Sequence, residues 1–397
     1  MPTAPDAKKP VSEAKRTIRV FAASSFLNDM GSDMIYPVWP MFVTEALKAD
    51  MAALGFLDGL GDALVSLSQA GSGYLSDRLK RRKVFIWLGY LCGALSRLGY
   101  ATASVWPHLV PYRVLDRLGK IRNPPRDAEL ADVSRPSNRG RNFGLLRAMD
   151  NLGAVCGILL AILLLNTLGY RLLFALAAIP SLAAVGLILV HIKEAKPDRS
   201  AVYKGLSLGD LDKDFRLFLL LSGLFALGAF SYSFLLIYAR QAGYRTAVIP
   251  VLYLVFTATA SLLSLPFGRL SDRIGRKPVL FIAFLCWAAV CLIVMARPNR
   301  LLIPLIFVFY GIHKAALEPV QKTLVTELSP SDHRASSLGG FQMIIGFCAL
   351  PASLGAGWLW DRLGDVAPFA LSLGLTAAAA ILLLFVKERR SAIPLRA

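Results

Sequence analysis

The chain is 397 residues long, 55% hydrophobic and only 18% charged, with a mean hydropathy of +0.55. A soluble domain of this size carries about a quarter charged residues, so an ordinary water-facing globule is excluded. The charge is lopsided, 44 Lys+Arg against 26 Asp+Glu for a formal +18; a nucleic-acid binder could not hide so much Leu, Ala, Val and Phe, which leaves a membrane protein with basic loops.

In chain order, a polar leader (1–18) precedes six apolar stretches at 19–46, 51–77, 83–104, 106–131, 140–167 and 170–191, a first bundle over 19–192. A Lys-, Asp- and Gly-rich connector (193–213) leads to six more, at 214–241, 247–271, 278–296, 301–326, 334–360 and 366–386. These form a second bundle over 214–387, followed by a basic tail (388–397). Each stretch is near or above the ~20 residues that cross ~30 Å of hydrocarbon, so the expected fold is an all-α membrane protein with twelve transmembrane helices.

Lys and Arg crowd alternate links: Lys8, Lys9, Lys15, Arg16 and Arg19 in the leader, Arg78, Arg81, Arg82 and Lys83 after the second span, Arg135, Arg139 and Arg141 after the fourth. The connector adds Lys193, Lys196, Arg199, Lys204 and Lys213, and the end of the chain Lys387, Arg389, Arg390 and Arg396. The positive-inside rule puts both termini in the cytoplasm. The leader has no apolar signal-peptide core, so no cleavage is expected. The cysteines Cys92, Cys156, Cys286, Cys291 and Cys348 all lie in apolar runs, without CxxC or a Cys/His cluster. Neither a disulfide framework nor a metal site is indicated, and no cofactor is expected.

Charges at membrane depth cost ~2.5–3.5 kcal/mol each unless paired or hydrated, so they mark function. Span one carries Asn28, Asp29 and Asp33; span two carries Asp58 and Asp62. Each Asp pair is four residues apart, on one helix face. Span four holds Arg113, Asp116, Arg117 and Lys120, in which Asp116 is expected to reach Arg113 at i−3 and Lys120 at i+4. Span five holds Arg147 and Asp150. Asp29, Asp33, Asp58, Asp62, Arg113, Asp116, Arg147 and Asp150 are the candidate proton-coupling and cavity groups, because a carboxylate whose hydration or Arg neighbour changes takes up or releases a proton. Asp29, Asp33 and Asp62 lead, with Arg113 as the modulating cation; a structural salt-bridge network joining spans one, two, four and five is the alternative.

The second bundle is sparse in polar groups. Tyr232, Tyr238, His313, Lys314, Glu318 and Gln342, with Asn28, are the substrate-cavity candidates. Phe230, Tyr232 and Tyr253 are candidate aromatic lining, and His313 reads either as a titrating group or as a hydrogen-bonded packing residue. Pro124-Pro125 and Pro319 interrupt spans four and ten, beside Asn123, Arg126 and Asp127 in one bundle and Gln321 and Lys322 in the other. Gly153 and Gly157 suit close helix packing.

A register of 195 residues links the bundles. Gly73-Tyr-Leu-Ser-Asp77-Arg78 matches Gly268-Arg-Leu-Ser-Asp272-Arg273, and without a gap Arg81 falls on Arg276, Pro124 on Pro319, Asp132 on Glu327, Arg139 on Arg334, Gly144 on Gly339 and Leu168-Gly169 on Leu363-Gly364. Two parallel six-span repeats follow. Asp77, Arg78, Arg81, Asp132 and Arg139, mirrored by Asp272, Arg273, Arg276, Glu327 and Arg334, are expected to form two cytoplasmic charge clusters that act as a gate.

The repeated G-x-x-x-D-R-x-x-R-[RK], with Lys80 replacing a glycine in the first copy, resembles the signature of the major facilitator superfamily over the whole chain beyond the leader. The resemblance implies two bundles around a central cavity, rocking about a midplane site. Arg113-Val-Leu-Asp116-Arg117-Leu-Gly119 resembles the R-x-x-Q-G-x-G of proton-coupled antiporters at Arg113 and Gly119 alone, and Gly153-Ala-Val-Cys-Gly157 lacks the proline and trailing glycines of the drug-exporter motif. The run from Asp116 to Asp127 is similar to a pattern of bacterial members, which implies an inner-membrane protein. The expected function is proton-coupled export of a small organic solute by a monomer. Proton symport or facilitated uptake of an organic anion is the alternative, and a transporter-like receptor without turnover a third. Without a Walker A, nucleophile elbow, zinc or dinucleotide motif, an enzyme is not expected. Partners are the solute, protons and the lipid bilayer, not nucleic acid.

Overall fold

The structure is a computed structural model that describes residues 11–79, 81–135, 138–194, 212–329 and 334–388. The start of the leader, most of the connector and the end of the tail lie outside the described residues, as do the side chains of Asp77 and Arg334. Every regular element among the described residues is helical. Nine helical stretches there are long and apolar enough to cross a membrane, Arg139–His191 counting once.

Contacts divide the chain into two compact units. The first joins the described residues of Met1–Phe42 and Leu67–Val202. It contains α1 (Val11–Asp33), the short α2 (Trp39–Met41), the end of α3 (Met51–Leu79), α4 (Arg82–Thr102), α5 (Leu109–Leu118), α6 (Asn123–Val133) and α7 (Arg139–His191). At 53 residues α7 is too long for one crossing, and Gly169 divides it with φ 65° and ψ 179°. Only glycine adopts that conformation without Cβ strain, so the break falls between the fifth and sixth apolar stretches. The first part of α7 lies so close to α1 that a Cβ on Gly153 or Gly157 would meet the carbonyl oxygens of Phe26 or Met30. Val20 and Phe21 of α1, Ile86 and Tyr90 of α4, Leu130 of α6, and Leu146 and Ile188 of α7 form a buried apolar core at one end of this unit.

The second unit joins Val43–Ser66 with the described residues of Tyr203–Ala397. It contains the first half of α3 with α8 (Lys213–Gly228), α9 (Ser233–Gln241), α10 (Ile249–Ile274), α11 (Arg276–Met295), α12 (Ile303–Leu328), α13 (Arg334–Leu363) and α14 (Ala367–Phe385). The 195-residue register reappears as geometry. α1 stops at Asp33 and α8 at Gly228, each followed by a short non-helical step before a second helical piece. Gly364 repeats the positive φ of Gly169, at 94°. In the first copy Pro37 helps to explain the interruption, because it cannot donate into the helical ladder; the second copy breaks without a proline.

Candidate functional site

In the first unit the charges of α1, α6 and α7 converge. Asp29 Oδ1 lies 4.0 Å from Arg122 Nη2 and accepts a hydrogen bond from Asn28 Nδ2 at 3.0 Å. One turn earlier on α1, Ser25 Oγ accepts from Arg126 Nη1 at 2.7 Å. Arg126 also donates to Asp127 Oδ1 through Nε and Nη2, at 3.0 and 2.9 Å. Asp127 Oδ2 in turn is 4.0 Å from Arg147 Nη2, and Arg147 reaches Asp150 at 3.2 Å. Arg122 and Arg126 are only 4% and 3% exposed, whereas Asp29 and Asp127 are half-buried and Arg147 is 66% exposed at its side chain. Buried cations thus hold carboxylates that are themselves only half-buried.

Local chain geometry explains who pairs with whom. α5 ends at Leu118 and the next residues, Gly119–Arg122, form a 3-10 turn. Pro124 and Pro125 then occupy the first turn of α6, where a missing N–H costs nothing. Asp116 sits 3.5 Å from Arg117 Nε, and Arg113 and Lys120 also act on it electrostatically; the Arg113 guanidinium lies over the Trp39 ring at 4.7 Å. Asp33 is buried at the end of α1.

Arg97 of α4 and Arg122 were not among the predicted site residues, and Arg126 and Asp127 entered only as neighbours of a proline break. Arg97 is fully buried. It donates to the backbone oxygens of Ala177 and Asn28 at 3.0 and 3.1 Å, to Asn28 Oδ1 at 3.3 Å, to Ser32 Oγ at 2.8 Å and to Ser181 Oγ. Its signal in the sequence is a lone charge deep in the apolar stretch 83–104.

In the second unit the break between α8 and α9 presents Ser231 and Ser233, whose hydroxyls both donate to Asp58 Oδ2, at 2.7 and 2.5 Å. Asp62, exposed one turn on, acts electrostatically on Tyr310 and Lys314. Lys314 is 3.7 Å from Glu318. Tyr232 packs edge-on to Tyr253 at 5.2 Å, and Gln342 is half-buried on α13. His313 donates from Nδ1 to Ala283 O at 2.8 Å and lies among the rings of Phe225 and Trp287, a packing arrangement. Tyr238 is likewise buried, donating to Val294 O at 3.3 Å.

The second copy of the repeated motif forms a tight cluster. Arg276 bridges Asp272 at 2.6 Å and Glu327 at 2.8 Å, while Arg273 is exposed. In the first copy Arg82, not Arg81, meets Asp132, at 2.5 Å. Arg81 is the exposed residue before α4, Arg78 is exposed, and Arg139 donates to Ala131 O at 3.2 Å. Among the described residues no group of three or more His, Cys, Asp or Glu could hold a metal.

The family model described as Major Facilitator Superfamily matches residues 21–256 and 217–396. An uncharacterized MFS-type transporter of Methanocaldococcus jannaschii is 33% identical, with 94% of this chain and 96% of that protein covered. The multidrug resistance protein MdtH of Aeromonas hydrophila is 28% identical over 88% of this chain and 89% of its own length. In fold, the chain is similar to a bacterial homologue of the human lysosomal transporter Spinster in an inward-facing, occupied conformation (TM-score 0.79, 15% identity, 97% and 100% of the two chains). It is also similar to a D-xylose-proton symporter (TM-score 0.74, 16% identity, 96% and 99%).

Proposed function

We propose that this chain, which belongs to the major facilitator superfamily, is a proton-coupled antiporter that exports a small organic solute by alternating access. It works as a twelve-helix monomer in a bacterial inner membrane, with both termini cytoplasmic, and performs no chemistry on its cargo. The observation that carries this reading is the loose 4.0 Å contact between half-buried Asp29 and buried Arg122. A pair held that loosely can exchange its ion pair for a proton, and a solute that displaces the proton is moved in the opposite direction. The likeness to a multidrug resistance protein supports export. Uptake of an organic anion is the second reading, favoured by the accessible guanidinium of Arg147.

Flux in proteoliposomes with a trapped pH dye and an imposed pH gradient separates the readings. Solute and protons moving in opposite directions support export by antiport; movement in the same direction supports anion symport. Flux indifferent to the gradient removes proton coupling, and saturable binding without flux makes the protein a receptor. Asp29→Asn is expected to cut gradient-driven flux about tenfold or more.

A further inference from the structure

Arg97 touches neither Asp29 nor Arg122 through any hydrogen bond described above, yet its influence reaches Asp29 in two steps. A guanidinium has five N–H donors and no acceptor, so every bond it makes runs outward. Its Nη2 donates to Asn28 Oδ1 at 3.3 Å and its Nη1 to Ser181 Oγ. With that oxygen engaged as an acceptor, the Ser181 proton goes to Asn28 Oδ1 at 3.1 Å. Two donors therefore converge on the Asn28 carbonyl oxygen, and the amide has one orientation left. Its NH2 faces the other way, and Nδ2 donates to Asp29 Oδ1 at 3.0 Å. A flipped amide would set N–H against N–H on one side and carbonyl against carboxylate on the other. Arg97, Ser181 and Asn28 are all buried, so water does not stand in for a lost member, and the bonds are strong in that low-dielectric setting.

We propose that Arg97 is a positioning residue for proton exchange: through Ser181 and Asn28 it fixes an N–H donor on Asp29 Oδ1, so that the proton is taken up at Oδ2. The proposal rests on the proton-coupled reading of Asp29. In the step itself Asp29 Oδ2 takes one proton from hydronium in the water that reaches it, the hydronium O–H bond breaking to leave water; the carboxylate loses its charge, Arg122 loses its counter-ion, and nothing is oxidised or reduced. The charged groups near Asp29 are Arg97 of α4, Arg122 of the turn between α5 and α6, and, one turn along α1, Arg126 and Asp127 of α6 with Arg147 and Asp150 of α7. Removal of the Asn28 amide takes one hydrogen bond from Arg97 but leaves every one of these charges in place, which isolates the effect of the donor.

The test uses the full chain in liposomes. The infrared C=O band of a protonated carboxyl, assigned by its loss in Asp29→Asn, is followed against pH, together with the pH profile of gradient-driven flux. Asn28→Ala leaves Arg97 its bonds to the Asn28 backbone, Ser32, Ala177 and Ser181, and so serves even if Arg97→Gln does not insert. In Asn28→Ala and Arg97→Gln the band and the flux midpoint should both move to about tenfold lower proton concentration, because a hydrogen bond to the charged form is gone. Arg97→Lys, which keeps a cationic donor, should move them less. Identical band titration in wild type and Asn28→Ala overturns the proposal, as does an Asp29→Asn spectrum that loses no band. A band that shifts as expected beside flux indifferent to pH would overturn the transport reading and leave the positioning role in place.

Discussion

The N-terminus of α3 is capped twice, once from its own chain neighbour and once from α13. Asp50 Oδ1 accepts from Ala53 N at 2.7 Å. Asp361, the antepenultimate residue of α13, accepts from Met51 N at 3.1 Å and Ala52 N at 2.8 Å. Three of the four N–H groups that every helix leaves unsatisfied at its start are thus held by two carboxylates. The two helices are in backbone contact beneath this cap, where a Cβ on Gly55 would meet Ser353 O and one on Gly357 would meet Met51 O. Asp361→Ala removes two hydrogen bonds, each worth about 1 kcal/mol at a helix start, and a negative charge worth about 0.5 kcal/mol there. The Ala52 bond is solvent-exposed, so water recovers part of the loss and screens the charge. The net expected cost is about 1.5 kcal/mol. Asp361→Asn keeps a neutral acceptor and should cost about 0.7 kcal/mol, and Asp50→Ala about 1 kcal/mol. Unfolding of the purified protein by SDS in mixed micelles, read by tryptophan fluorescence, measures all three. An Asp361→Ala variant within 0.3 kcal/mol of wild type (about the resolution of the method), beside an Asp50→Ala that loses the expected amount, would refute the cross-helix cap.

The other predictions concern the repeated motif and the α1–α7 contact. Arg82→Ala should destabilise by about 2 kcal/mol, because it removes a buried guanidinium together with its charge-assisted hydrogen bond to Asp132, while exposed Arg81→Ala stays within about 0.5 kcal/mol; the same SDS titration distinguishes them. A double-mutant cycle of Arg276→Gln with Glu327→Gln should return a coupling of about 1 kcal/mol that shrinks in 0.5 M salt (roughly a 4 Å screening length), since the pair is only partly buried. Gly157→Leu should cost about 3 kcal/mol or prevent recovery of monodisperse protein by size-exclusion chromatography, because its side chain must displace the Met30 backbone.

Much of the fold was legible because it is periodic. A single register of 195 residues relates Gly169 to Gly364, both with positive φ, and Asp33 to Gly228, where α1 and α8 both stop. The second pair was not part of the sequence match that defined the register, which makes it an independent sign that the two repeats bend alike. Rotation about a helix axis was harder to read. α4 begins at Arg82, with Arg81 outside the helix, so neighbours in sequence point apart and only one meets Asp132. In span four the helical spacing that linked Asp116 to Arg113 and Lys120, both of which act on it electrostatically, gave no sign of its 3.5 Å contact with Arg117, its neighbour in sequence.

The hardest residue to foresee was Arg97, for a reason that extends beyond this position. Charge pairing leaves a trace in sequence, because each partner is a recognisable residue type at a spacing that can be checked. Arg97 is satisfied by two backbone carbonyls, two serine hydroxyls and one amide, drawn from helices 65 to 84 residues away. Carbonyls belong to every residue and serines are common, so no spacing rule points to them. The only available sign is a charge where the hydrocarbon would forbid one. Such a charge is either satisfied by the fold around it or does not survive insertion, so a lone Arg deep in an apolar stretch should be read as evidence of convergent neutral acceptors rather than of a missing Asp or Glu.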